Sequence, residues 1–112
     1  MSQEKKIRID RLKAHPLVPG GQARFIHSEH ISQAYWTFEP GAVLAEHSHP
    51  HEQIVNLLEG RLEFRLDGEV LVLEPGEAVI CPPHAVHSGK ALTAVRVLDV
   101  FYPVREDFVK LG

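Results

Sequence analysis

Hydrophobic and polar side chains alternate over short stretches along most of this chain. The clearest case is residues 61–66, which lead through Asp67-Gly68 into a second alternating run over residues 69–74. An Asp-Gly pair readily adopts the positive φ angles of a two-residue hairpin turn, so the pattern predicts two antiparallel strands. The side chains expected to face inward are those of Leu62, Phe64 and Leu66.

Other short apolar runs are separated by prolines and glycines, which end strands and form turns. The predicted strands are residues 33–39, 43–49, 53–58, 61–66, 69–74, 78–81 and 92–102. No long stretch has the 3.6-residue periodicity of an amphipathic helix. Many short strands at regular spacing predict an all-β double-sheet jelly roll or barrel.

The last predicted strand places one carboxylate among apolar side chains. Val95, Val97, Asp99 and Phe101 share a face of that strand, and three of the four are apolar. Burial of a carboxylate raises its pKa unless a cation compensates, and such groups are candidates for proton transfer. The structural alternative is that Asp99 pairs with Arg105 or an imidazole and only stabilises the fold.

Length and charge exclude several classes of protein. A chain of 112 residues with 44% hydrophobic residues suits one compact domain spanning residues 1–112. The net charge of -3 and the isoelectric point near 6.2 do not indicate the basic surface that binds nucleic acid. No apolar run is long enough to cross a bilayer. We therefore expect small molecules or proteins as partners.

The single cysteine and the first residues favour a reducing compartment. Cys81 lacks an internal disulfide partner and lies in an apolar run, so we expect it to be a buried packing residue. The N-terminal sequence has no apolar signal core, which favours the cytoplasm. Residues 1–22 are expected to form an arm or an edge strand, in this chain or against a neighbouring subunit.

The segment HSHPHEQ at residues 47–53 predicts a metal site. In a strand His47, His49 and Gln53 share one side, and His87 can supply a third imidazole. Three imidazoles and an oxygen donor suit Mn, Fe, Co, Ni or Zn. The alternative is that these are surface histidines in a chain that has eight.

Two neighbours of these residues are less well defined. His51 shares their parity, but Pro50 interrupts the alternation, so His51 can equally face a substrate or support a ligand. Glu52 has the opposite parity and is expected to point into solvent. Gln53 is therefore the predicted oxygen ligand.

The spacing of these residues resembles the two motifs of the cupin family. The first motif is met by Gly41, His47, His49, Gln53 and Gly60, and the second by Gly76, Pro82 and His87. His84 and Ala91 stand where cupins have Gly and Asn, and Gln53 replaces the usual Glu. The resemblance covers residues 40–108, and it implies a double-stranded β-helix with a divalent transition metal.

The tail LDVFYPVREDF narrows the resemblance to KdgF-type pectin-degradation cupins. In that subgroup a His, His, Gln, His metal site works with an Asp, a Phe and an Arg, which correspond here to Asp99, Phe101 and Arg105. The resemblance implies a homodimer that converts 4,5-unsaturated monouronates, derived from pectin or alginate, to linear 5-keto-4-deoxyuronate. Asp99 would be the general acid/base, Arg105 would bind a carboxylate or hydroxyls, and Phe101 would contact the sugar ring.

Other functions are compatible with the same fold. A metal-dependent dioxygenase or sugar isomerase would use a similar site, although dioxygenases usually have Glu where this chain has Gln53. A non-catalytic sugar-binding cupin is the third possibility.

Overall fold

The computed structural model describes residues 5–112, and these residues form ten strands with little helix. The strands are β1 His15–Val18, β2 Gly21–His27, β3 Ser32–Phe38, β4 Val43–His47, β5 Glu52–Glu59, β6 Leu62–Leu66, β7 Glu69–Leu73, β8 Ala78–Cys81, β9 His87–Ala91 and β10 Val95–Tyr102. A 3-10 turn, Ile9–Arg11, precedes them, and a helical turn α1, Glu106–Val109, follows them.

The described strands form two antiparallel sheets, which confirms the all-β prediction. The larger sheet has the order β1-β2-β3-β10-β5-β8, and the smaller has the order β4-β9-β6-β7. The chain crosses between the sheets after β3, β4, β5, β7, β8 and β9, as in a jelly roll. Because β10 lies between β3 and β5, its inward side chains are covered on both flanks.

The inward faces of both sheets form one apolar core. Trp36 and Phe38 from β3 stack with ring centroids 4.9 Å apart, so both pack in the core while Tyr35 is on the opposite face. Leu62 and Phe64 are buried, as the hairpin pattern predicted, and Leu66 packs half-buried at the margin. The alternation read from the sequence therefore assigned the faces of this hairpin correctly.

Turn residues adopt the backbone conformations that their chemistry favours. Asp67 and Gly68 between β6 and β7 have φ angles of 48° and 85°. Gly60 also has a positive φ, and a Cβ atom there would collide with the carbonyl oxygen of Ala94. Glycine is needed at residue 60 for both reasons.

Some strand boundaries differ from the sequence prediction. The segment predicted as one strand over residues 92–102 begins only at Val95, and a separate strand, β9, comes before it. β9 has the sequence HSGKA, which lacks an alternating apolar pattern, and it forms because β4 and β6 pair with it on both sides.

The N-terminal part of the chain adds two strands to the larger sheet. β1 is an edge strand of that sheet, and β2 pairs with β3 over its whole length. The arm or edge strand expected for residues 1–22 stays a prediction, and residues 1–4 lie outside the described residues. Among residues 5–112, no helix is both long and apolar enough to span a bilayer.

Candidate metal centre and active site

Three histidines meet at one end of the smaller sheet. His47 ends β4 and His87 begins β9, and the two are paired residues in the antiparallel ladder. His49 lies in the loop after β4. One ring nitrogen from each histidine lies within 4.8 Å of the others, which is close enough for all three to contact one metal ion.

Backbone carbonyls orient the three rings in the same way. The Nδ1 atoms of His47 and His87 lie 2.7 and 2.9 Å from carbonyl oxygens two residues earlier, and that of His49 lies 3.1 Å from the His51 carbonyl. A ring that donates its Nδ1 proton to a carbonyl keeps the lone pair on Nε2 for a metal. The buried Nε2 of His87 has no hydrogen-bond partner among residues 5–112, as expected of a ligand atom.

Burial favours the neutral, metal-binding form of two of these imidazoles, those of His49 and His87. Desolvation, followed by the positive charge of Arg105, lowers the pKa of His49 to about 4. Desolvation also lowers the pKa of His87. Both rings are therefore unprotonated near neutral pH, and their lone pairs are available.

Gln53 brings an oxygen atom to the three imidazoles. It is buried in β5, and its Oε1 lies 3.0 Å from Nε2 of His49. If Nδ1 of His49 carries the ring proton, both of these atoms are electron-pair donors, and a shared cation is a natural partner for them. Glu52 is exposed on the opposite face, as its parity predicted. The three imidazoles and this amide oxygen fit a divalent transition metal, and His47, His49 and His87 can bind one.

Asp99 lies on the neighbouring strand and faces the same interior. It is 5% exposed, and its buried Oδ1 has no hydrogen-bond partner within residues 5–112. Burial raises the pKa of Asp99 to about 7, although hydrogen bonding from Gln53 and the charge of Arg105 oppose the rise. A carboxyl group with a pKa near neutrality can both accept and donate a proton.

Arg105 and Phe101 complete the cluster. The Arg105 guanidinium lies 4.7 Å from the centre of the Phe101 ring. The carboxylate that it binds is Asp107, at 2.9 and 2.7 Å, so the structural alternative of an Asp99–Arg105 pair is not what forms. Arg105 lines a cavity of about 320 Å³ together with His47, Gln53, Asp99 and Phe101.

All seven side chains named from the sequence therefore lie around one end of the barrel. The other histidines differ: His84 is an exposed turn residue with a φ of 68°, and His51 is half-buried beside the Phe101 ring. The contacts of Asp107, Phe108 and Ser32 were not predicted from the sequence. The one signal in the sequence for the ion pair between Arg105 and Asp107 was that Asp107 follows Arg105 by two residues.

Comparison with known proteins gives consistent matches. A family model described as a cupin domain matches residues 34–101. The pectin degradation protein KdgF of Dickeya dadantii (strain 3937) is 34% identical over 74 residues, which cover 64% of this chain and 67% of that protein.

Two solved structures are similar over almost their whole length. KdgF from Halomonas sp. is 33% identical with a TM-score of 0.84, and the match covers 88% of this chain and 94% of that one. An RmlC-like cupin from Shewanella frigidimarina NCIMB 400 is 26% identical with a TM-score of 0.88, covering 95% and 96%. The cupin match contains the histidines, Gln53, Asp99 and Phe101, and it ends before Arg105.

Proposed function

The chain belongs to the cupin family, and on that premise we propose that it is a metal-dependent enzyme acting on 4,5-unsaturated monouronates. Its product would be the linear 5-keto-4-deoxyuronate. Two relatives that are 34% and 33% identical bear the name KdgF, and one is described as a pectin degradation protein. Unsaturated uronates are the products that a lyase releases from pectin or alginate, so the substrate class agrees with that name.

The observation that carries this proposal is the meeting of three functions in one cavity. His47 and Gln53 bring the metal site to the cavity wall, Asp99 brings a carboxyl group, and Arg105 brings a fixed positive charge. The cavity of about 320 Å³ lies within the range of small-molecule sites. A uronate needs a partner for its carboxylate and a group that moves protons, and this cavity has both.

Ring opening requires a proton to leave one atom and another to join a second atom. The anomeric hydroxyl loses its proton as the bond between C1 and the ring oxygen breaks, which leaves an aldehyde and an enolate. Protonation of the enolate at C4 then forms the 5-keto group, so one proton leaves, one is added, and the product is an isomer of the substrate.

Each step has a group in the cavity that can perform it. Asp99 accepts the hydroxyl proton and returns a proton to carbon, which its pKa of about 7 favours. Arg105 binds the carboxylate, and the buried Phe101 ring forms an apolar wall beside it. A bound divalent cation supplies positive charge that stabilises developing negative charge on oxygen.

The test is turnover of unsaturated galacturonate by the metal-loaded protein. We expect the absorbance of the conjugated alkene to fall without oxygen uptake, and the product to have the mass of the substrate. Loss of the alkene with oxygen consumption would instead indicate a dioxygenase. Binding without any turnover would indicate a sugar-binding cupin.

Two further expectations stay predictions, namely the homodimer and the cytoplasmic location. Sedimentation of the purified protein measures the first, and fractionation of cells that produce it measures the second. A monomer at micromolar concentration would contradict the homodimer.

A further inference from the structure

Asp107 holds one edge of the Arg105 guanidinium. Nε of Arg105 donates to Oδ1 of Asp107 at 2.9 Å, and Nη2 donates to Oδ2 at 2.7 Å. The Arg105 side chain is 11% exposed, whereas that of Asp107 is 59% exposed. The Asp107 carboxylate thus binds the guanidinium from the solvent side, while Arg105 lines the cavity.

Two aromatic rings restrict the same guanidinium. Its carbon lies 4.0 Å from the centre of the Phe108 ring and 4.7 Å from that of Phe101. Phe108 is in turn stacked on Phe25 of β2, with ring centroids 4.7 Å apart. Through Phe25, the larger sheet therefore holds the Phe108 ring against the Arg105 guanidinium.

The backbone of Arg105 is also fixed. Its N–H donates to Oγ of Ser32 at 2.8 Å, and Ser32 is completely buried at the start of β3. The Ser32 hydroxyl lies 2.7 Å from Nδ1 of His27. Backbone, ring contacts and ion pair together leave the guanidinium little freedom.

We propose that Asp107 is a positioning residue that fixes Arg105 for a substrate carboxylate. A guanidinium has five N–H groups, and Asp107 occupies two of them along the Nε edge. Both protons on Nη1 and the second proton on Nη2 stay available. One proton from each of these nitrogens forms the edge that a carboxylate binds with two parallel hydrogen bonds. Because Arg105 is already ordered, less side-chain entropy is lost when the substrate binds.

This inference rests on the proposed function and narrows it to sugar acids whose carboxylate meets Arg105. A purely structural role is the competing explanation, since Asp107 lies in the first turn of α1. The pKa of Asp107 is lowered mainly by its hydrogen bonds from the Arg105 guanidinium, but backbone N–H groups of residues 107 and 108 contribute as well. A variant that keeps an acceptor for these N–H groups but loses the ion pair separates the two roles.

The test compares Asp107→Asn with Glu106→Gln, which changes the neighbouring exposed acid. With unsaturated galacturonate we expect Asp107→Asn to raise KM by about tenfold to a hundredfold with a smaller change in kcat. Glu106→Gln should leave both constants within about twofold. Asp107→Glu should recover much of the lost KM, because it restores the charge.

A second measurement separates this inference from the proposed function. Saturated galacturonate is titrated into metal-loaded protein, and neutral galactose is the control ligand. If the wild type does not turn over unsaturated galacturonate, the proposed function fails, but weaker galacturonate binding by Asp107→Asn would still support the positioning role.

Three results would overturn the positioning role. They are wild-type protein that does not bind galacturonate, an Asp107→Asn variant that binds it as tightly as the wild type does, and equal losses in Asp107→Asn and Glu106→Gln. Thermal unfolding and metal content of each variant are measured alongside. Asp107→Ser, which keeps a small acceptor for α1, replaces Asp107→Asn if the latter does not fold.

Discussion

The two sheets contribute different chemistry to the site. The smaller sheet provides His47 and His87, which are paired residues at the ends of neighbouring strands. The larger sheet provides Gln53 from β5 and Asp99 from β10. The difference teaches that the candidate metal ligands and the candidate acid/base group come mainly from separate sheets, and that the two sets meet at Gln53.

The two sheets also differ in how deeply they bury the side chains of the site. β10 is flanked by β3 and β5, so an inward carboxyl group on it loses almost all contact with water. That desolvation is the main cause of the raised pKa of Asp99. His47 sits at the open end of the barrel and is only half-buried, which leaves room for a ligand to approach.

The largest effect should follow from removing an imidazole of the smaller sheet. We expect His87→Ala to lose bound metal and, with it, all measurable turnover, because an ion would keep only two imidazoles. Metal content after dialysis measures the first effect, and alkene absorbance measures the second. His84→Asn is the matched control, because Asn tolerates the positive φ of that exposed turn. An ion retained by His87→Ala would show that His87 is not a ligand.

The next effect concerns the larger sheet alone. Asp99→Asn should lower kcat by about a hundredfold to ten-thousandfold while the metal content stays at the wild-type level. The reason is that the amide preserves shape but does not accept and return a proton. Asp10→Asn serves as the control, because Asp10 is exposed and distant from Asp99 in the sequence. Near-normal turnover by Asp99→Asn would remove this residue from the mechanism.

Gln53→Glu should affect both the metal site and the binding of the uronate. An anionic ligand should bind the metal more tightly but offset its charge, so we expect a lower Kd for the metal and a KM for the uronate raised by about tenfold. Metal titration and steady-state kinetics measure the two effects. If both constants stayed unchanged, the Gln53 side chain would contribute neither to the metal site nor to the cavity charge.

The smallest effect is expected one residue earlier. Glu52→Gln changes an exposed side chain on the outer face of β5, so KM, kcat and metal content should stay within about twofold of the wild type. A large loss in Glu52→Gln, with Gln53→Glu silent, would reverse the assignment of the oxygen ligand.

Local signals in the sequence predicted much of this structure. Asp67-Gly68 determines its hairpin through turn chemistry alone, and the parity of Asp99 within an apolar run reveals its burial. The three histidines that could hold a metal ion were found through their spacing, and His47 and His87 are paired residues of β4 and β9. These features depend on residues close in sequence or on a resemblance that includes them.

The features that the sequence did not predict depend on contacts between distant segments. β9 is a strand because of its two neighbours and has no pattern of its own. The contact between Ser32 and Arg105 joins residues 73 positions apart, and the stacking of Phe25 on Phe108 needs the tail to fold back over the larger sheet. No local pattern indicates such contacts.

The burial of Cys81 has a consequence for the oxidation chemistry of the protein. Cys81 is completely buried on β8, directly opposite Gln53 in the ladder, and desolvation raises the pKa of its thiol to about 12. A cysteine reacts with peroxide as the thiolate, and burial keeps this sulfur in the protonated form near neutral pH. The protein thus carries a cysteine opposite Gln53 that is not a point of easy oxidation.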